Sequence, residues 1–115
     1  MKDFPYYHVI VYVPVADADR VRDALADAGA GRIGSYDSCS FSIRGTGRFR
    51  PLEGSNPAIG SQDEVSEVEE ERIEVLVPTT PPSHLRDVLQ AVKNVHPYEE
   101  PAIHVLPMAD YNDFL

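Results

Sequence analysis

The chain has 115 residues, 43% hydrophobic and 25% charged, the composition of a folded globular protein and not of a disordered or fibrous one. Ten basic against nineteen acidic side chains leave a net charge of −9, which excludes a general nucleic-acid binder and a protein held to an anionic membrane by charge. The single cysteine, Cys39, allows no internal disulfide. No stretch approaches a membrane span, and the opening MKDFPYYHV lacks a signal peptide's apolar run, so a cytoplasmic protein is expected.

The first element in chain order is a strand. Val9, Val11 and Val13 alternate with Ile10 and Tyr12, and Pro14, with no N–H to give, ends the ladder. The period then lengthens. Val21, Ala24, Leu25 and Ala28 form one apolar helical stripe, and Gly29 and Gly31 stand where that helix should stop. A second strand is read from Cys39, Phe41 and Ile43 alternating with Ser38, Ser40 and Ser42, with Cys39 as a small buried hydrophobe.

Residues 72–93 then repeat residues 8–29 without a gap: Val11 falls on Val75, Pro14 on Pro78, Arg22 and Asp23 on Arg86 and Asp87, and Leu25 on Leu89. Ile73, Val75 and Val77 make the third strand. Leu85, Val88, Leu89 and Val92 make the second helix, with Asn94 as its stop, and Ile103 and Val105 the fourth strand. The expectation is one domain over residues 1–115, with a core at 8–107 and a short tail at 108–115. Its fold class is α+β, a ferredoxin-like β-α-β-β-α-β sandwich with two helices on one face of a four-stranded antiparallel sheet. Ile10, Tyr12 and Leu76 fall on the helix-free face, so self-association is expected there.

Two segments have no counterpart in the repeat. Residues 44–64 are read as a loop far longer than a hairpin needs. No acid occurs from Ser38 to Leu52, so Arg44, Arg48 and Arg50 form a positive island in an acidic chain, with Gly45, Thr46 and Gly47 among them. Arginine forks and glycine-exposed amides suit a small anionic ligand. The alternative is that these arginines balance the acidic segment 63–71 across a hairpin or a subunit boundary. That segment reads as the solvated side of a strand extension, with Val65 and Val68 turned inward.

The second segment is HPYEEP. His96, Glu99 and Glu100, stiffened by Pro97 and Pro101, are candidate ligands for a divalent metal such as zinc, with His104 and His8 within reach of joining them. The alternative is a proline-shaped turn in which His96 caps carbonyls, the glutamates face solvent and Tyr98 anchors. No Ser, Cys or Lys nucleophile stands in a recognisable motif, so an enzyme is not the first expectation.

Three stretches, GAGRIGSYDSCSF, GTGRFRPLEGSNPAIG and HPYEEPA, together resemble the CutA/PII-like domain inserted in longer bacterial members of the YqfO (Nif-like) family, and its stand-alone counterparts, over residues 8–107. The resemblance implies a CutA/PII-like fold and a homo-oligomer, with a trimer favoured. It also implies a sensor or regulatory role, in which residues 44–64 occupy the place of the loop through which PII proteins bind effectors and protein partners.

Overall fold

The computed structural model of the chain describes residues 4–115. Four strands, β1 (Tyr6–Pro14), β2 (Phe41–Phe49), β3 (Ser66–Pro78) and β4 (Ile103–Met108), alternate with two helices, α1 (Ala18–Asp27) and α2 (His84–Val95), in the order β1-α1-β2-β3-α2-β4. The strands form one antiparallel sheet ordered β2-β3-β1-β4, the expected ferredoxin-like topology. No helix among the described residues is long and apolar enough to cross a membrane.

The two copies of the repeat meet at the centre of the sheet. β1 and β3 pair with Val9 opposite Val75 and Val11 opposite Ile73. On the helix side, these residues with Val13 and Val77 pack against Val21 and Leu25 of α1 and Val88 and Val92 of α2. Each such side chain gains about 1.5–3 kcal/mol by leaving water, so this one layer carries the fold.

The helix ends are locked to each other. Gly29, at φ +95°, closes α1, and His84 at the start of α2 lies against it, its Nε2 3.2 Å from the Ala28 carbonyl oxygen. A side chain at position 29 would meet that ring at 2.6 Å. Asn94 does not end α2. The helix runs through it, with Asn94 accepting a bond from Gln90, and stops when the His96 N–H reaches the Val92 carbonyl at 2.9 Å.

Two expectations about β2 are corrected. Its register sets Phe41 opposite Glu74 and Ile43 opposite Arg72, which places both on the helix-free face, 63% and 49% exposed. The serine side faces the helices instead, because Arg22 of α1 reaches over and its Nη1 donates to Ser42 Oγ at 3.1 Å. Cys39 precedes the strand and is half-buried, its N–H bonded to the Gly31 carbonyl at 3.0 Å.

The second correction concerns the loop. Residues 44–49, expected in it, are strand: β2 continues to Phe49, each residue facing its partner on β3 from Glu71 to Ser66. The connection proper is residues 50–65. The hairpin makes an arm, so the radius of gyration is 15.7 Å against about 13–14 Å for a compact chain of this length. Val65 is exposed on this connection, not turned inward.

The acidic run is not simply solvated. Glu67 pairs with Arg48 at 2.5 Å, Glu69 accepts from Thr46 at 3.0 Å, and Glu70 accepts from the Tyr98 hydroxyl at 2.9 Å. Glu71, 7% exposed, pairs with Arg22. The Arg22 guanidinium is held above its ordinary pKa, first by that hydrogen bond and then by Asp19.

Removing one partner of a largely buried pair leaves the other charge uncompensated. Arg22→Met is therefore expected to cost about 2–3 kcal/mol in urea unfolding, with part regained by adding Glu71→Gln. At the matching repeat position, Arg86 is exposed, and Arg86→Met should change stability by about 0.5 kcal/mol or less.

Candidate functional site

The HPYEEP segment leaves α2 as a turn built on His96. That ring is buried, and both its nitrogens are committed: Nε2 donates to the Tyr12 carbonyl at 2.7 Å, and Nδ1 accepts the Tyr98 N–H at 3.1 Å. One neutral tautomer thus pins the turn to the end of β1. Tyr98 is the next anchor. Its ring lies 5.2 Å from His96 and 5.8 Å from Phe49, and its hydroxyl donates to Glu70. Burial, and next the bond to Glu70, pushes the Tyr98 phenol well above its ordinary pKa.

Opposite the turn stands the connection 50–65. It closes on itself, the Asp63 N–H bonding the Pro51 carbonyl at 2.7 Å and the Ser55 N–H and hydroxyl both reaching the Leu52 carbonyl. From this closed loop, the Asn56 N–H donates to Glu99 Oε1 at 2.8 Å, joining loop to turn.

Between them lies a cleft of about 610 Å³. Tyr12, Phe49, Leu52, Ile59 and Tyr98 give it apolar walls, and Arg48, Arg50, Glu70, Glu99 and Glu100 its charges. The arm forms one side, and that side depends on Gly47: a Cβ there would overlap the Glu70 carboxylate that Tyr98 holds.

Of the residues expected to form an anion loop, Thr46, Gly47, Arg48 and Arg50 line this cleft, whereas Arg44 and Gly45 stand outside its lining, opposite Glu71 and Glu70 in the arm. Of the expected metal ligands, Glu99 and Glu100 line it, but His96 sits behind the wall with no lone pair to give. Among the described residues, no three His, Cys, Asp or Glu side chains stand close enough to share an ion. The zinc trio His96, Glu99 and Glu100 is not assembled, because the hydrogen bonds that shape the turn consume its best donor. Sequence reasoning missed the apolar walls. Leu52 and Ile59, two large apolar residues in a glycine- and proline-rich loop, were the signal that the loop folds over something.

No protein-family model matches the chain. Among curated proteins, it is 44% identical over 109 residues to a "GTP cyclohydrolase 1 type 2 homolog" of Halalkalibacterium halodurans, covering 95% of this chain and 28% of that protein. The chain thus spans little more than a quarter of the relative's length. Among solved structures, a Bacillus cereus protein related to NIF3 superposes with a TM-score of 0.78 at 43% identity, over 96% of this chain and 27% of that one. The Thermus thermophilus divalent cation tolerance protein CutA1 superposes with a TM-score of 0.62 at 26% identity, over 96% and 94%. The likeness expected from the motifs is present in sequence and structure for the NIF3-related protein and in structure for CutA proteins.

Two measurements test the arm side of the cleft. Gly47→Ala is expected to lower stability in urea unfolding by more than Gly45→Ala, because a Cβ at 47 must push the Glu70 carboxylate off Tyr98 whereas one at 45 meets nothing within 4 Å. In an ultraviolet titration, one of the six tyrosines should stay protonated well above pH 10, and Tyr98→Phe should remove that late phenol. Since the folded state favours the neutral form, Tyr98 contributes stability that is intact below pH 10 and is lost as the pH rises past it.

Proposed function

We propose that this chain acts as a non-enzymatic, PII- and CutA-like regulatory module that takes a small anionic molecule in the cleft between residues 50–65 and the HPYEEP turn. The observation that carries this reading is convergence. The two segments with no counterpart in the repeat close on one cleft, joined by the Asn56–Glu99 bond. Its volume falls within the range of metabolite sites, about 300–1,000 Å³. Arg50 lines it and, among the described residues, makes no ion pair or side-chain hydrogen bond, so its charge is open to a ligand.

The name carried by the Thermus neighbour supports a metal-related role for modules of this fold. The donor set here does not fit zinc, with His96 consumed and Glu99 already accepting from Asn56, so no zinc centre is proposed. The cyclohydrolase name belongs to proteins more than three times as long as the matched region, and no such reaction is proposed for this chain.

A second reading concerns assembly, and is compatible with the first. Of the residues expected to be open on the helix-free face, Ile10 is already buried within the chain and Tyr12 and Leu76 are half-buried, but Phe41, Ile43 and Leu106, which pairing sets on that face, are 63%, 49% and 48% exposed. We propose that a second copy covers this face in a homo-oligomer, with three subunits favoured by the resemblance. Light scattering of the purified chain should then give a multiple of 12.8 kDa, and Phe41→Glu with Ile43→Glu should give the monomer mass. A wild-type monomer rejects the assembly and leaves the cleft, which lies within one chain.

For the cleft, thermal unfolding across a panel of metabolites that carry a carboxylate or phosphate, amino acids and dipeptides among them, is the direct test. A ligand at a hundred times its Kd adds about 2.7 kcal/mol of stability, a shift of several degrees. The expected result is a shift in the wild type that shrinks in Arg50→Ala. No shift with any member of the panel, or equal shifts in both proteins, would reject the reading.

A further inference from the structure

We infer that the ligand of this cleft is a zwitterion with an apolar body, carrying an acid group for Arg50 and an amine for Glu100. Amino acids with large apolar side chains and short apolar peptides belong to this class. The inference rests on the cleft being a ligand site, as proposed above, and narrows what it holds.

The charges that line the cleft differ in whether they already have partners. There are five: Arg48, Arg50, Glu70, Glu99 and Glu100. Three already have partners. Arg48 pairs with Glu67 at 2.5 Å, Glu70 accepts the Tyr98 hydroxyl at 2.9 Å, and Glu99 accepts the Asn56 N–H at 2.8 Å. Arg50 and Glu100 have no ion-pair or side-chain hydrogen-bond partner among the described residues. They also come from different walls: Arg50 follows β2 at the root of the loop, and Glu100 belongs to the HPYEEP turn.

A simple anion answers Arg50 but faces an unanswered Glu100, within a lining whose two arginines are outnumbered by three glutamates. A polyanion meets that imbalance more severely, since like charges in a partly desolvated site repel. A simple cation answers Glu100 and leaves Arg50. Only a molecule with both signs completes the pair. Size and lining supply the rest. A cleft of about 610 Å³ is far larger than a lone ion, and its lining includes the apolar Tyr12, Phe49, Leu52 and Ile59.

The test is calorimetric titration of the full chain with leucyl-phenylalanine, its N-acetyl derivative and its C-terminal amide. Arg50 and Glu100 are exposed, so each contact is expected to be worth about fivefold in affinity. The dipeptide should bind about fivefold more tightly than either blocked form. Arg50→Gln should erase its advantage over the amide, and Glu100→Gln its advantage over the acetylated form. Both variants, at exposed positions, should unfold at close to the wild-type temperature.

An N-acetyl form that binds as tightly as the dipeptide overturns the zwitterion while leaving an anion site. Failure of all three peptides to bind at millimolar concentration also overturns it. If the anionic metabolites above still bind with dependence on Arg50, only the ligand class has failed. If they too do nothing, the cleft reading falls with it.

Discussion

One strand carries four glutamates within five residues, and the rest of the structure is arranged around making that tolerable. Glu67, Glu69, Glu70 and Glu71 lie on β3, close enough to repel, and they are answered from three places. Arg22 comes from α1, Thr46 and Arg48 from β2, and Tyr98 from the turn after α2. Charge compensation therefore ties α1, the arm and the HPYEEP turn to one strand, on top of the apolar layer and the backbone ladder that set their places. It also marks where the duplication ends. By the alignment of the repeat, Glu70 and Glu71 correspond to Tyr6 and Tyr7, so the acidic extension belongs to the second copy alone.

The cleft follows from the same ladder. Tyr98 can reach Glu70 only because Gly47, across the arm, leaves room above that carboxylate. His96 can orient Tyr98 only because its own ring is locked between the Tyr12 carbonyl and the Tyr98 amide. With the turn so held, Glu99 stands where Asn56 can meet it, and the loop over residues 50–65 closes one side of a chamber. The structural glutamates are thus spent on building the walls. Arg50 and Glu100, the lining charges with no side-chain partner among the described residues, are the two we propose meet a ligand.

The element order and the core were legible in the sequence because they depend on local period. Valines two apart on β1 and β3, and apolar residues three and four apart on α1 and α2, report burial directly: the strand residues and Val21, Leu25, Val88 and Val92 are buried, and the rest of the helical stripes partly so. The errors arose where a distant partner decides. Phe41 and Ile43 read as inward, but it is Ser42 that faces the helices, where Arg22 bonds it. Gly45, Thr46 and Gly47 have loop composition, yet β3 supplies a backbone partner for each. His96 looks like a metal ligand until the Tyr12 carbonyl, 84 positions earlier, is seen to occupy it. The arginines of the expected anion loop divide in the same way, Arg48 answering an acidic strand and Arg50 lining the cleft.

The central claim is that the loop and the HPYEEP turn close one cleft within a single chain, and the bond from the Asn56 amide to Glu99 is its most exposed consequence. Amide hydrogen exchange followed by nuclear magnetic resonance reads that bond directly. The account predicts that the Asn56 amide exchanges more slowly than its loop neighbours in the wild-type chain, and that Glu99→Ala releases it without altering the amides of β1 and β3. An Asn56 amide that already exchanges at the rate of an open loop, unchanged by Glu99→Ala, would contradict it.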